Sequence, residues 1–242
     1  MTYCVAMLLD AGMIFASDSR TNAGVDNVAR YCKMHQFVAP GKRIITILSA
    51  GNLSVTQNCL SMLEQQSRSG AEHHIYNCTS MFDVATLLGE ALREVQRRDG
   101  PTFMAHNIDA NASFIIGGQI KGERPRLFML YNEGNFIEAS IATPYFQIGE
   151  IKYGKPIIDR VIKRNTALSD AAKCTLVSFD STMRSNLSVG LPIDMMIMET
   201  DTLTIKTQRR IEESDDYFRM IHSTWGDGLR DLFKRLPDPD WV

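Results

Sequence analysis

The chain has 242 residues, with 26 Lys and Arg against 28 Asp and Glu, and 44% of it is hydrophobic. A chain of this length buries roughly 72% of its unfolded surface, enough for one substantial core. The near-neutral balance supplies no basic excess for nucleic acid or an anionic membrane. No apolar run approaches the ~18 residues of a membrane span. The opening Met-Thr-Tyr-Cys also lacks a signal-peptide pattern. The expectation is a single soluble, cytoplasmic domain covering residues 1–242. Its five cysteines, Cys4, Cys32, Cys59, Cys78 and Cys174, are an odd number at irregular spacing. That favours neither a disulfide framework nor a zinc site, so no metal and no cofactor is expected. Cys59 and Cys174 sit in apolar helical patterns and read as small core residues.

Tyr3 to Leu9 is a β-favouring run, and Asp10-Ala11-Gly12 is a turn before a second run from Met13 to Ser17. A further strand covers Ile44 to Leu48, ahead of Ser49-Ala50-Gly51. Asn52 can cap a helix to about Gln66, with Leu53, Cys59, Leu60 and Leu63 as its apolar positions. Ser80 and Asp83 form a capping-box-like start for a second helix. Its stripe is Val84, Leu87, Leu88, Ala91 and Val95, and Asp99-Gly100-Pro101 is expected to stop it.

Strand texture returns at Ser113–Ile120, Leu127–Tyr131 and Phe136–Ser140, separated by polar turns. Gly117-Gly118 within the first of these predicts a bulge. Helices follow near Tyr153–Arg164 and Ser169–Arg184, then strands near Pro192–Met198 and Thr204–Thr207. From about Glu213 a C-terminal helical extension runs to Leu236. Its stripe is Phe218, Ile221, Trp225, Leu229, Leu232 and Leu236. Runs of antiparallel strands alternating with helix pairs read as α+β, with two sheets packed between helices, and not as strict βαβ alternation.

Chemistry concentrates at Thr2. Removal of Met1, favoured by a small second residue, would leave a hydroxyl and a free α-amine on one residue. An α-amine has a reference pKa of about 7.7–8.0, so a usable fraction is neutral near pH 7 and can serve as base for its own hydroxyl. Taken alone, Thr2 is also an ordinary strand residue. Downstream come Asp18-Ser19-Arg20-Thr21-Asn22-Ala23-Gly24, then Lys33, then Ser49-Ala50-Gly51. A lysine ammonium near the Thr2 hydroxyl would favour the alkoxide, and Asp18 would hold that lysine charged. The Gly51 N–H, at a strand-to-helix turn, would suit an oxyanion.

These residues in this order resemble a proteasome β-subunit. The pattern continues at Arg184-Ser185-Asn186-Leu187-Ser188-Val189-Gly190. The near-absence of a propeptide is like the bacterial HslV peptidase. The length, the opening and the extended C-terminus look most like Anbu, the bacterial ancestral β-subunit homologues. The resemblance implies a four-layer αββα sandwich of the Ntn-hydrolase type. It implies Thr2 as nucleophile and base, Asp18 and Lys33 as its activating pair, Gly51 as oxyanion donor and Ser188 near the amine. By position, Thr21, Cys32, Ser49 and Leu53 would line the substrate side-chain pocket, and Asn22 and Gly51 would pair with substrate backbone. Ser185 stands where the family has aspartate, and Glu150 falls where a supporting serine is usual. The Asp18-to-Lys33 spacing is one residue short.

The implied activity is hydrolysis of peptide or related amide bonds through an acyl-enzyme on Thr2, in a homo-oligomeric ring or spiral. The expected partners are further copies of the chain, a peptide or protein substrate, and an activator that the sequence does not identify. The alternatives are a ring-forming scaffold or binding protein with weak or vestigial activity, and a specialised Ntn amidase; fold and nucleophile do not separate the latter from a peptidase.

Overall fold

The computed structural model describes residues 1–22 and 28–241. The chain opens with the antiparallel hairpin β1 (Tyr3–Leu9) and β2 (Gly12–Asp18), every residue of which is buried. Short strands β3 (Arg20–Asn22) and β4 (Val28–Arg30) pair with each other, and β5 (Met34–Ala39) and β6 (Arg43–Gly51) form a second hairpin. The helices α1 (Leu53–Ser69) and α2 (Met81–Ala105) follow. Then come β7 (Ala112–Ile120), β8 (Arg126–Leu130), β9 (Phe136–Glu138) and β10 (Tyr145–Gly149). The last elements are α3 (Lys155–Val161), α4 (Leu168–Ser185), β11 (Ile193–Glu199), β12 (Ile205–Ile211) and α5 (Asp216–Lys234).

Two five-stranded antiparallel sheets result, in the orders β10-β1-β2-β11-β12 and β5-β6-β7-β8-β9. Alternation along the strands divides the apolar residues into three layers. Cys4, Ala6 and Leu8 of β1 face Met13 and Phe15, and with Ile44, Leu48, Ile115 and Met196 they fill the space between the sheets. Tyr3, Val5 and Met7 point the other way and pack under α3, α4 and the start of α5. Ile45, Ile47, Phe114 and Ile116 pack under α1 and α2. The order is helix, sheet, sheet, helix, the expected αββα sandwich. Cys59 and Cys174 are buried, as their helical patterns suggest.

The capping residues act as their chemistry dictates. The Asn52 side chain accepts the Val55 N–H, and Ser80 and Asp83 satisfy each other's backbone N–H in a full capping box. Three expectations change. The second helix does not stop at Gly100-Pro101 but continues to Ala105. Proline removes one helical hydrogen bond there, while Phe103 packs against the α1–α2 core and holds the last turn. Gly117 and Gly118 lie in unbroken register against Thr46 and Ile45, so there is no bulge. A side chain at Gly117 would stand 2.8 Å from Met13, Phe15 and Leu127, so its glycine serves the close approach of the facing sheet. Strands β3, β4, β5 and β10 are additions: polar residues interrupt them, and they carry little alternating signal. No described helix is long and apolar enough to cross a membrane.

Candidate active site

The N-terminal strand sets the position of residue 2. Tyr3 begins β1, and its side chain is wholly buried. The Tyr3 hydroxyl donates to Ser178 Oγ at 3.0 Å and accepts from Gln147 Nε2 at 2.6 Å, while its ring packs 4.6 Å from that of Phe179. Burial pushes this phenol's pKa up, so it stays a neutral hydroxyl. The Thr2 carbonyl accepts the Glu150 N–H at 2.7 Å, just beyond β10. Thr2 is therefore held between the anchored Tyr3 and the Glu150 backbone, and is half-buried.

Asp18 ends β2, next to the strand that carries Thr2. Its Oδ1 accepts the Tyr3 N–H at 3.0 Å and the Lys33 ammonium at 2.7 Å. Its Oδ2 accepts the Gly190 N–H at 3.5 Å. Burial pushes this carboxyl's pKa upward, against the pull of Lys33 and the two N–H donors. Lys33 Nζ also donates to the Arg20 carbonyl at 2.6 Å and to the Met1 carbonyl at 3.5 Å. The ammonium thus stands beside the Met1–Thr2 peptide, where a freed Thr2 amine would be.

Lys33 is fixed in turn by the second sheet. Its carbonyl accepts the Ser49 N–H at 3.0 Å. The Cys4 thiol reaches the Ser49 carbonyl at 3.7 Å, across the space between the sheets. Burial pushes the Cys4 thiol's pKa up, so this cysteine is not a rival nucleophile. Gly51 closes β6 opposite Ala112 at φ +107, where a Cβ would meet the Asn111 carbonyl at 2.2 Å. Only glycine fits between that carbonyl and the start of α1.

The remaining predicted residues take these places. Thr21 is half-buried in β3, one residue beyond the carbonyl that holds Lys33. Cys32 is exposed, its thiol 2.9 Å from the Met34 carbonyl. Ser49 is buried, and Leu53 is the half-buried first residue of α1. The backbone of Asn22 pairs with Val28. Ala23 and Gly24, the end of the Asp18 motif, lie outside the described residues. Ser185 is the exposed last residue of α4. Ser188 donates its N–H to Asn186 Oδ1 at 2.9 Å; among the described residues no hydrogen bond joins its hydroxyl to the terminus.

Glu150 is buried, and its Oε2 accepts Asn186 Nδ2 at 2.8 Å. Asn186 is the site residue that sequence reasoning passes over. It sits between Ser185 and Ser188, and its only outward signal is an asparagine at a helix C-terminus. Among the described residues no group of His, Cys, Asp and Glu stands close enough to hold a metal ion.

Two antiparallel sheets between helix layers, with residue 2 leading the first strand beside a lysine–aspartate pair, define the proteasome-like class of N-terminal-nucleophile folds. No family model and no curated protein matches the chain. Solved structures do. Anbu, the ancestral β-subunit, from Yersinia bercovieri is 51% identical, with a TM-score of 0.93 over 99% of this chain and 100% of that one. A Gly-1 mutant of Anbu from Hyphomicrobium sp. strain MC1 is 47% identical, with a TM-score of 0.93 over 99% and 100%. A chain from the helical assembly of the Anbu complex of Pseudomonas aeruginosa is 46% identical, with a TM-score of 0.93 over 98% of each. The chain belongs to the Anbu family.

Proposed function

We propose that this chain, once Met1 is removed, is an N-terminal threonine hydrolase of peptide or related amide bonds that works in a self-assembled ring or spiral. The observation that carries the reading is the position of Lys33 Nζ, 2.7 Å from Asp18 and 3.5 Å from the carbonyl that precedes Thr2. An ammonium buried there favours negative charge on the Thr2 hydroxyl oxygen.

In this reading Thr2 Oγ attacks the substrate carbonyl carbon, and its proton passes to the Thr2 α-amine. The tetrahedral oxyanion is received by the Gly51 N–H at the head of α1. The C–N bond then breaks, the departing amine takes the proton, and an ester on Thr2 remains. Water attacks that ester, giving its proton to the same amine; the C–Oγ bond breaks, Thr2 Oγ takes that proton, and the acid product leaves. Residues Thr21, Cys32, Ser49 and Leu53 contribute to the substrate side-chain pocket, and Asn22 with Gly51 holds substrate backbone. The helical assembly of the Pseudomonas aeruginosa relative supports assembly of this chain with itself.

The test is intact mass, before and after incubation with a peptide epoxyketone, a warhead that needs a free N-terminal amine beside its own hydroxyl. The expected result is a chain without Met1 that gains one inhibitor, lost in Thr2→Ala. Turnover that survives Thr2→Ala overturns the reading. So does a processed chain that neither takes up the inhibitor nor hydrolyses any amide, which leaves the scaffold alternative.

A further inference from the structure

Two carboxylates approach the N-terminus, and they are not equivalent. Asp18 is already committed, with Lys33 and the Tyr3 N–H on Oδ1 and the Gly190 N–H on Oδ2. Glu150 is only 6% exposed. Its Oε2 takes one neutral donor, Asn186 Nδ2 at 2.8 Å, and its Oε1 has Lys152 Nζ 3.5 Å away, on a largely exposed side chain. That ion pair is long and solvent-screened, so the buried carboxylate keeps acceptor capacity for a closer cation.

The Glu150 backbone lies against residue 2. The Glu150 N–H bonds the Thr2 carbonyl at 2.7 Å. Asn186 Nδ2 lies 3.9 Å from the Met1 sulfur, so Met1 rests over the same Glu150–Asn186 pair. Asn186 itself cannot turn away, because its Oδ1 is held by the Ser188 N–H.

We propose that Glu150, oriented by Asn186, is the positioning residue for the Thr2 α-amine and stabilises its protonated form during acyl transfer. The role rests on Thr2 being the nucleophile. The amine receives the hydroxyl proton and keeps it until the departing amine takes it; Glu150 holds the ammonium by charge and accepts no proton. The charged groups facing the terminus are Lys33 and Asp18 on one side and Glu150 on the other, with Lys152 beyond it. In the chain that still carries Met1, burial and Lys33 push the Met1 amine's pKa down, and Asp18 and Glu150 pull it up. Ser185, exposed at the end of α4, supplies no charge, and Asp18 is taken up by Lys33, so Glu150 is the carboxylate left for the amine.

The experiment reads the amine directly and needs no turnover. The full chain is given a Thr2 terminus by proteolytic removal of an N-terminal fusion. The pH dependence of acetylation of that amine by acetic anhydride is then followed by mass spectrometry. Glu150→Gln keeps the shape and the bond to Asn186 but removes the charge. It is expected to lower the amine's midpoint by about one pH unit, the scale of an opposite charge at close range. Asn186→Ala is expected to lower it in the same direction by less. Midpoints that coincide in wild type and Glu150→Gln overturn the proposal, with thermal melting used to establish that both are folded. Should Glu150→Gln fail to fold, an unchanged midpoint in Asn186→Ala overturns it instead. A Glu150-dependent midpoint in a chain that turns over no amide retains this assignment of the amine's partner and sinks the hydrolase reading alone.

Discussion

Asp18 and Lys33 form an ion pair of 2.7 Å with 0% and 5% of their side chains exposed. Breaking a buried pair from one side leaves an uncompensated charge, at a cost of about 3–5 kcal/mol. Lys33→Ala is therefore expected to lower stability as well as turnover. The pH dependence follows from burial, which already raises the Asp18 pKa above its ordinary 3.8, and from the loss of Lys33, which raises it further. A carboxyl raised in the folded state stabilises below its unfolded pKa and loses that contribution as pH rises through the folded value. The stability gap between wild type and Lys33→Ala is thus expected to narrow as pH falls from 8 toward 4. Urea unfolding across that range measures it, and a gap that widens with acid contradicts the assignment.

Gly51 joins the two parts of the candidate site, because it ends β6 and leads into the Asn52 cap of α1. Gly51→Ala forces a Cβ against the Asn111 backbone at a φ that ordinary residues avoid. The end of the strand must move, and with it the N–H assigned to the oxyanion. The expected loss of turnover is about 100-fold or more, the scale for removing one such donor. Epoxyketone labelling rates of wild type and variant provide the comparison. Equal rates would show that this N–H is not the donor.

Much of the sandwich is readable in the sequence where a continuous apolar run or a local cap marks the element. Tyr3–Leu9 and Met13–Ser17 are found within one residue of their observed limits, and the Asn52 and Ser80 caps do what their side chains predict. What escapes reading are contacts between distant segments. Gly117 looks like a bulge because the residues that require it, Met13 and Phe15, lie a hundred positions away on the other sheet. Asp18 and Lys33 are picked out by their order along the chain, and Glu150 only through the resemblance to the family. Asn186 is not, since its importance lies in a bond to Glu150 that no local periodicity encodes.

Gly117→Ala tests the sheet-to-sheet approach. The added methyl would stand 2.8 Å from Met13 Cε, Phe15 Cε1 and Leu127 Cδ1. Two of those atoms end flexible side chains and can yield, so the expected cost is about 1–2 kcal/mol, toward the lower part of the range for overpacking. Chemical denaturation of wild type and variant measures it. No loss of stability would mean that the sheets have room to part at this point.

The last helix is divided along its length. Phe218 and Ile221 are buried against the α3–α4 layer, and His222 Nδ1 stands 2.5 Å from Asp180 Oδ1 on α4. Beyond Trp225 the apolar stripe leaves the body: Leu232 and Phe233 are 58% and 75% exposed. Exposed surface residues rarely alter stability by more than about 0.5 kcal/mol, so a row of them that serves only one subunit can be replaced freely. An apolar row that meets another copy cannot. Leu232→Asp with Phe233→Asp is expected to leave the melting of the subunit unchanged. In sedimentation velocity it is expected to shift the population toward smaller species. An unchanged distribution would assign any self-assembly to other faces of the sandwich and leave the end of α5 without a partner copy.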